Sequence, residues 1–170
     1  AVHYISNNAR KPLDITELKH PLAATNNLLD NIDAWMREIS PGIRITPQFY
    51  PEINSARLGY SYDIETGKTE EFKPANVGYG ITYVLPIITQ LLISKPGQTI
   101  IIENPESHLH PSGQSTISKL CTLAANNKVQ IIIETHSDHI INGILVAVNQ
   151  NSKDEKIGID SEKISMIFID

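Results

Sequence analysis

The sequence predicts an α/β fold, in which a mostly parallel sheet is flanked by helices and preceded by an N-terminal helix and a small antiparallel meander. Two aliphatic runs, 100–102 and 131–133, have the length and composition of strands that are buried on both faces, as in parallel sheets. Helical patterns alternate with these runs from about residue 75 onward. Strands that alternate with helices imply right-handed crossovers and parallel pairing.

The chain is predicted to consist of two regions, 1–74 with the N-terminal helix and meander and 75–170 with the alternating elements. The predicted elements are a helix at 28–39, short strands at 43–50 and 57–62 with a turn at 65–68, a helix at 81–93, a strand at 99–103, a helix at 112–126, a strand at 129–134, a helix at 138–149 and a strand at 163–169. Ser40-Pro41-Gly42 ends the first helix, and Pro86 predicts a kink or a late start in the next one.

The composition limits the classes of protein that fit the chain. With 170 residues, a net charge of −5 and no cluster of Lys or Arg, the sequence gives no indication of a nucleic-acid groove. The single cysteine, Cys121, excludes an intrachain disulfide framework and is compatible with a cytoplasmic location, which we expect. No apolar stretch reaches the roughly 18 residues of a membrane span. Because the chain starts without Met and stops on an apolar run, we expect it to be a piece of a longer protein.

Polar side chains follow the first aliphatic run directly. Glu103 ends the run, and Asn104, Pro105 and Glu106 come next. Open α/β sheets bind their ligands at the carboxyl ends of the strands. A lone carboxylate there is costly to desolvate unless a cation or hydrogen-bond donors satisfy it. We therefore expect Glu103 to have a role associated with Mg²⁺; a carboxylate that caps a neighbouring loop is the alternative.

Histidines follow both runs. His136 comes two residues after Glu134, beside the natural helix N-cap Ser137, so it is well placed to sense a terminal phosphate. His108 and His110 lie two residues apart and would face the same side of an extended segment, as a pair of metal ligands does. No cysteine and no H-E-x-x-H helix accompanies them, which favours histidines bonded to loop carbonyls over zinc ligands.

A glycine-containing segment precedes the predicted apolar helix at 81–93. Glycines ahead of a helix let a phosphate approach free backbone N–H groups, although many helices follow a glycine turn without binding one. The candidate residues are Asn76, Gly78, Tyr79 and Gly80.

One apparent phosphate-binding motif is a decoy. Gly67-Lys68-Thr69 resembles the end of the loop G-x-x-x-x-G-K-[ST], but Tyr62 occupies the first glycine position and Pro74 discourages a following helix. The pattern favours a hairpin turn, so the chain carries no Walker A loop.

The segments 76–80, 100–111 and 134–137 occur in an order and at a spacing that resembles a known family. Together they look like the C-terminal half of an ABC-type ATPase head. The branch concerned contains the OLD-family nucleases, RecF- and SMC-like ATPases and predicted bacterial AAA-type ATPases. The match covers about residues 75–170, and residues 4–12 resemble the linker region of the predicted-ATPase branch less specifically.

The resemblance implies a role for each candidate residue. Glu103 corresponds to the Walker B acid, which holds Mg²⁺ through water, and Asn104 falls where many relatives have the glutamate that polarises the attacking water. His136 corresponds to the switch histidine, which touches the γ-phosphate of ATP. Residues 76–80 lie at the signature motif, which contacts ATP on the opposite subunit, and residues 108–111 lie in the D-loop, where subunits meet. The implied mechanism is ATP-driven closure of a head-to-tail homodimer that hydrolysis opens again.

Two departures from the family pattern affect this expectation. The Walker A half with its lysine is missing, so this polypeptide alone should bind ATP poorly and be inactive. Asn104 carries an amide, which is no general base near neutral pH. Either Glu106 takes over that work, or hydrolysis is slow; we expect slow or partner-dependent turnover, in a DNA-repair or phage-defence system.

Two functions from other classes stay open. A metal-dependent hydrolase would use His108, His110, Glu106 and His136, and stoichiometric zinc or manganese in the purified protein would favour it. A non-catalytic interaction module is supported by Asn104 and by the absent phosphate-binding loop.

Overall fold

A computed structural model describes residues 1–154 and 158–168 of the chain. Its helices and strands are α1 (Val2–Asn8), α2 (Leu28–Ile39), β1 (Ile43–Tyr50), β2 (Ser55–Ile64), β3 (Gly67–Lys68), α3 (Tyr79–Leu92), β4 (Thr99–Glu103), α4 (Pro111–Asn126), β5 (Gln130–Glu134) and α5 (Asp138–Lys153). Single 3₁₀ turns lie at 16–18, 51–53, 74–76 and 161–163.

The first sheet is the predicted antiparallel meander, in the order β1-β2-β3. β1 pairs with β2 from Ile43 opposite Tyr62 to Tyr50 opposite Ser55. β3 continues the sheet, with Gly67 paired with Ile64 across a tight turn at a φ of 132°, a conformation that glycine adopts readily. The Gly67-Lys68-Thr69 segment is therefore a hairpin, as predicted, and the strand-to-helix geometry of a phosphate-binding loop is not found there.

The second sheet contains β4 and β5, which pair in parallel from Thr99 opposite Gln130 to Glu103 opposite Glu134. α4 forms the crossover between them, as the alternating pattern predicted. The strand expected at 163–169 does not form within residues 164–168, and residues 169 and 170 lie outside the described part. A strand needs a neighbouring ladder of hydrogen bonds. Ile167 and Phe168 have none in the described residues and are more than four-fifths exposed.

The aliphatic strands are buried on one face only, which corrects the expectation of two buried faces. Along β4, Ile100 and Ile102 are each 6% exposed, whereas Ile101 between them is 68% exposed. In β5, Ile132 is 48% exposed. α3 packs on β4 and α4 packs on β5, and side chains alternate between the two faces of a strand, so these helices cover every second side chain. An apolar face of the sheet is therefore open to solvent.

One hydrophobic core joins both predicted regions of the chain. It extends from Ile5 through Trp35 of α2 to Ile140 of α5 without interruption. α3 begins at Tyr79, so the late start expected from Pro86 is wrong. Pro86 is exposed within the helix, and the buried side chains of α3 offset the cost of about 3 kcal/mol that a proline imposes in a helix interior.

A polar network at the border of this core connects α2 to α4. The His20 ring is 2% exposed; its Nδ1 accepts a hydrogen bond from the Leu22 backbone amide at 3.0 Å. The neutral ring therefore carries its proton on Nε2, which donates to Glu38 Oε1 at 2.7 Å. Lys119 of α4 lies 3.3 Å from the same carboxylate oxygen and 5.2 Å from the centroid of the Trp35 ring.

This network predicts an acid-dependent loss of stability. Partial burial acts to raise the pKa of Glu38, but the hydrogen bond from His20 and the charge of Lys119 outweigh it, so the pKa lies below its usual 4.5. The stabilisation is therefore present above about pH 4.5 and is lost as the pH falls through the lower pKa of the folded state. We expect Glu38→Gln to lower the free energy of unfolding at neutral pH by about 1 kcal/mol, with the deficit shrinking below pH 4.5.

Urea unfolding of parent and variant measures this difference in the free energy of unfolding. It is carried out between about pH 3 and pH 7, the range over which paired carboxylates titrate. Glu52→Gln, at an exposed glutamate in the turn between β1 and β2, is the matched control and should follow the parent. If Glu38→Gln lowers the free energy of unfolding by the same amount at every pH in this range, the ionised Glu38 carboxylate is not the source of the stabilisation.

Candidate functional site

The candidate site is the edge of the parallel sheet at which β4 and β5 end. Glu103 and Glu134 are the last residues of the two strands and pair with each other in register. The backbone N–H of Asn104 donates a hydrogen bond to the Glu134 carbonyl oxygen at 2.9 Å, which extends the strand pairing by one residue. His136 follows two residues after Glu134. The structure therefore brings Glu103 and His136 to the same edge of the sheet.

Asn104 adopts a left-handed backbone conformation, with a φ of 46°. Its carbonyl oxygen accepts from the Ser107 amide at 3.0 Å, so the chain turns sharply after β4. Asparagine enters this conformation more easily than glutamate, because its short polar side chain bonds locally. The left-handed backbone therefore favours an asparagine side chain at position 104. An Asn-Pro pair after a strand is a turn signal, which could have predicted this turn from the sequence.

Glu106 is turned towards the neighbouring loop. Its Oε2 accepts from Thr135 Oγ1 at 2.6 Å, and its Oε1 accepts from the His136 backbone amide at 3.0 Å. Burial acts to raise the pKa of Glu106, but these hydrogen bonds lower it by more, so the net shift is downward. Glu106 is consequently ionised at neutral pH.

The His136 side chain is 85% exposed, and its Nε2 lies 3.1 Å from Glu134 Oε1. Ser137 caps α5, as predicted, because its hydroxyl accepts from the backbone amides of His139 and Ile140. The cap fixes where the helix begins, and the His136 imidazole stays exposed to solvent beside Glu134.

The two histidines of the β4–α4 loop have different neighbours. His108, with a φ of 61°, lies against the Tyr79 ring at a centroid distance of 4.8 Å. His110 is the N-cap of α4, and its Nδ1 accepts from the Ser112 backbone amide. Within the described part of the chain, neither ring makes the hydrogen bond to a loop carbonyl that was expected from the sequence. Over residues 1–154 and 158–168, no group of three or more His, Cys, Asp or Glu side chains is placed to hold a metal ion.

The first turns of α3 pack on the same loop. Tyr83 donates a hydrogen bond from its hydroxyl to the Glu103 carbonyl oxygen at 2.9 Å. A Cβ added to Gly80 would lie 2.4 Å from the His108 carbonyl oxygen, so the space at this glycine is filled by backbone. Gly78 differs, because nothing lies within 4 Å of the Cβ position there, and Asn76 is exposed in the preceding turn.

The donor atoms at this edge fit a magnesium ion that is bound mainly through a nucleotide and water. Mg²⁺ in such sites takes one or two carboxylates and leaves the other positions to phosphate and water. Glu103 is exposed, and within the described residues its carboxylate makes no ion pair. An exposed carboxylate at the end of a strand thus matches this mode of binding.

Among residues 1–154 and 158–168, no helix combines the length and the hydropathy that a membrane crossing requires.

A model of a protein family matches residues 5–142; its description is "AAA domain, putative AbiEii toxin, Type IV TA system". The matched range crosses the predicted boundary at residue 74. No curated protein matches the chain.

Two solved structures share the fold. One is described as "Structural biochemistry of ATP-driven dimerization and DNA stimulated activation of SMC ATPases"; it aligns with a TM-score of 0.53 and 13% identity over 68% of this chain and 71% of that chain. The other is "Crystal structure of the SmcHead bound to the C-winged helix domain of ScpA", with a TM-score of 0.55 and 14% identity over 82% of this chain and 47% of that chain. The predicted α/β fold, with its small antiparallel sheet, is confirmed as that of an SMC-type ATPase head.

Proposed function

The chain belongs to this AAA domain family of ATPases, and from that premise we propose that it contributes the Walker B, signature and switch residues of an ATP-hydrolysing ABC-type head. The observation that carries the proposal is the shared edge of the parallel sheet. Glu103 and Glu134 pair in register there, and the backbone of His136 bonds to Glu106 of the neighbouring loop.

In this assignment each residue at the edge has a separate task. Glu103 would hold Mg²⁺ through water, and the ion, when bound, would neutralise phosphate charge. The exposed His136 imidazole donates a hydrogen bond to the terminal phosphate of ATP. Asn104 orients the attacking water without accepting its proton, because an amide is not basic near neutral pH. Slow or partner-dependent turnover follows from this amide.

The start of α3 supplies the contact with a second subunit. Tyr79 is 70% exposed and lies at the N-terminus of the helix, beside Gly78, whose Cβ position faces open space. Backbone N–H groups at a helix N-terminus favour phosphate. Asn76, Gly78, Tyr79 and Gly80 would thus meet ATP bound to the opposite subunit of a head-to-tail homodimer.

We assign the chain to the C-terminal half of such a head. The sequence of 170 residues contains no G-x-x-x-x-G-K-[ST] motif. The phosphate-binding lysine must then come from another segment of what we call the intact ATPase, meaning the natural polypeptide or assembly that supplies that loop. The chain alone should bind ATP poorly.

The cellular system in which the intact ATPase acts is proposed from its relatives, because no contact among the described residues bears on it. The family description names a putative toxin of a toxin–antitoxin system, and one structural relative is an ATPase with DNA-stimulated activation. Phage defence or DNA repair, the systems expected from the family resemblance, therefore stays our proposal for the intact ATPase.

Replacement of Glu103 tests the metal-binding role. In the intact ATPase, Glu103→Gln should lower kcat by about 10- to 100-fold and raise the Mg²⁺ concentration needed for half-maximal activity, because it removes a ligand of the ion's water shell. Steady-state phosphate release over a magnesium titration measures both quantities. Glu65→Gln, at an exposed glutamate in the turn between β2 and β3, is the control and should leave both quantities unchanged. Equal losses in the two variants would count against a special role for Glu103.

A further inference from the structure

Glu106 belongs to the loop between β4 and α4, but both of its carboxylate oxygens are used by the loop between β5 and α5. Oε2 accepts from Thr135 Oγ1 at 2.6 Å, and Oε1 accepts from the His136 backbone amide at 3.0 Å. We call this pair of hydrogen bonds the Glu106 bridge. It connects the two loops that carry Asn104 and His136.

The bridge has the chemistry of an ionised acceptor. A distance of 2.6 Å between the Thr135 hydroxyl and the carboxylate is typical of a charge-assisted O–H···O⁻ bond. Burial would raise the pKa of Glu106, yet the bonds from Thr135 and His136 lower it on balance. A carboxylate with a lowered pKa whose two oxygens already accept hydrogen bonds is a weak general base near neutral pH.

Thr135 carries the bridge onward to the start of α5. Its Oγ1 accepts from the Ser137 amide at 3.1 Å, in a local turn typical of threonine. The Ser137 hydroxyl contacts Gln114 Oε1 at 2.5 Å, and Gln114 Nε2 donates to the Leu109 carbonyl oxygen at 2.9 Å. The β5–α5 loop is thus attached to the β4–α4 loop at two places, one on each side of His136.

The same β4–α4 loop is attached to α3 on its other side. The His108 carbonyl oxygen fills the space at Gly80, and the His108 ring contacts Tyr79. Glu106 therefore lies two residues before His108, which contacts α3, and its carboxylate bonds to the backbone amide of His136.

From these contacts we propose that Glu106 is a positioning residue, which fixes the His136 backbone relative to Glu103 and does not itself take a proton from water. Its effect on ATP turnover rests on the proposed function, whereas the positioning of the loop does not. Of the two alternatives in the sequence analysis, this proposal argues against the one in which Glu106 takes over the work of the glutamate that is missing at position 104.

Four single variants and one double variant of the intact ATPase test the assignment. Glu106→Ala removes both bonds of the bridge, and Thr135→Val removes the bond to Oε2. Each should lower kcat by about 10-fold or more, with KM for Mg-ATP changed by less than about twofold. Thr135→Ser keeps the hydroxyl and should retain nearly full activity. Glu106→Gln keeps an oxygen that can accept from the His136 amide, and it should retain more activity than Glu106→Ala. The double variant Glu106→Ala/Thr135→Val should be about as slow as Glu106→Ala, because Glu106→Ala already removes the Glu106–Thr135 bond that Thr135→Val breaks.

A general base at Glu106 gives the opposite pattern. In that case Glu106→Gln is as inactive as Glu106→Ala, and Thr135→Val, which leaves the carboxylate in place, stays active. This pattern would overturn the proposal.

Hydrogen exchange at the His136 amide provides a readout that does not depend on ATP. Loss of the acceptor in Glu106→Ala should speed this exchange by about 10-fold or more, while Thr135→Ser leaves it unchanged. If the amide exchanges faster but the parent protein has no ATPase activity, the proposed function fails and the positioning role stands. If the parent is active and Glu106→Ala changes neither the exchange nor kcat, the positioning role fails and the proposed function stands.

Discussion

Replacement of His136 by alanine should lower kcat of the intact ATPase by about 100-fold, because a donor aimed at developing phosphate charge is worth roughly 10² to 10³ in rate. Stability should change little. The His136 side chain is 85% exposed, and its ion pair with Glu134, itself about half exposed, is of a kind that contributes about 1 kcal/mol or less. Phosphate release and urea unfolding on the same preparation measure the two effects.

His139 provides the matched control for this experiment. It is an exposed histidine in the first turn of α5, three residues after His136. His139→Ala should keep kcat within about twofold of the parent, because His139 belongs to the exposed first turn of α5 and not to the loop that carries His136. If His136→Ala has the same steady-state ATPase activity as the parent, His136 does not act as the switch histidine.

Gly80→Ala should lower the free energy of unfolding by about 2 kcal/mol. The new Cβ would lie 2.4 Å from the His108 carbonyl oxygen and 3.1 Å from its carbonyl carbon, and both atoms belong to backbone. Insertion of a methyl group where the backbone cannot retreat costs about 1–3 kcal/mol, and the better helix propensity of alanine offsets at most about 1 kcal/mol of this. His108 already has a φ of 61°, so the loop has little freedom to move away.

Gly78→Ala is the comparison for this variant. Within the described residues, nothing lies within 4 Å of the Cβ position at Gly78. The substitution should therefore lower the free energy of unfolding by less than about 1 kcal/mol, because alanine is a poorer helix N-cap than glycine. Thermal unfolding separates the two variants by several degrees, since about 1 kcal/mol shifts Tm by about 2–4 °C in a domain of this size. Equal Tm values for the two alanine variants would show that α3 does not pack on the loop as described.

Much of the fold follows from local patterns. The helical faces of α2 and α4, the parallel strands at 99–103 and 130–134, and the hairpin at Gly67 could be recognised from periodicity and turn residues. The expected strand after residue 163 is wrong within residues 164–168, because a strand depends on a partner ladder that its own composition does not specify. The exposure of Ile101 has the same origin: an isoleucine run shows that a strand is favoured, but only the neighbouring elements decide how many of its faces are covered.

At the candidate site, the residue types alone pointed to Glu103, Asn104, Glu106 and His136, since acids and imidazoles after parallel strands indicate a ligand edge. Their individual surroundings required the tertiary structure. Glu106 bonds to Thr135 and His136, which lie 29 and 30 residues away along the chain, and sequence separation carries no information about such contacts. The sequence by itself therefore determined which chemical groups reach this edge, through strand lengths and the placement of polar residues. Only the packing of α3 and of the two loops decided which of those groups stay exposed to a ligand and which bond to one another, because hydrogen bonds depend on distance and direction in space.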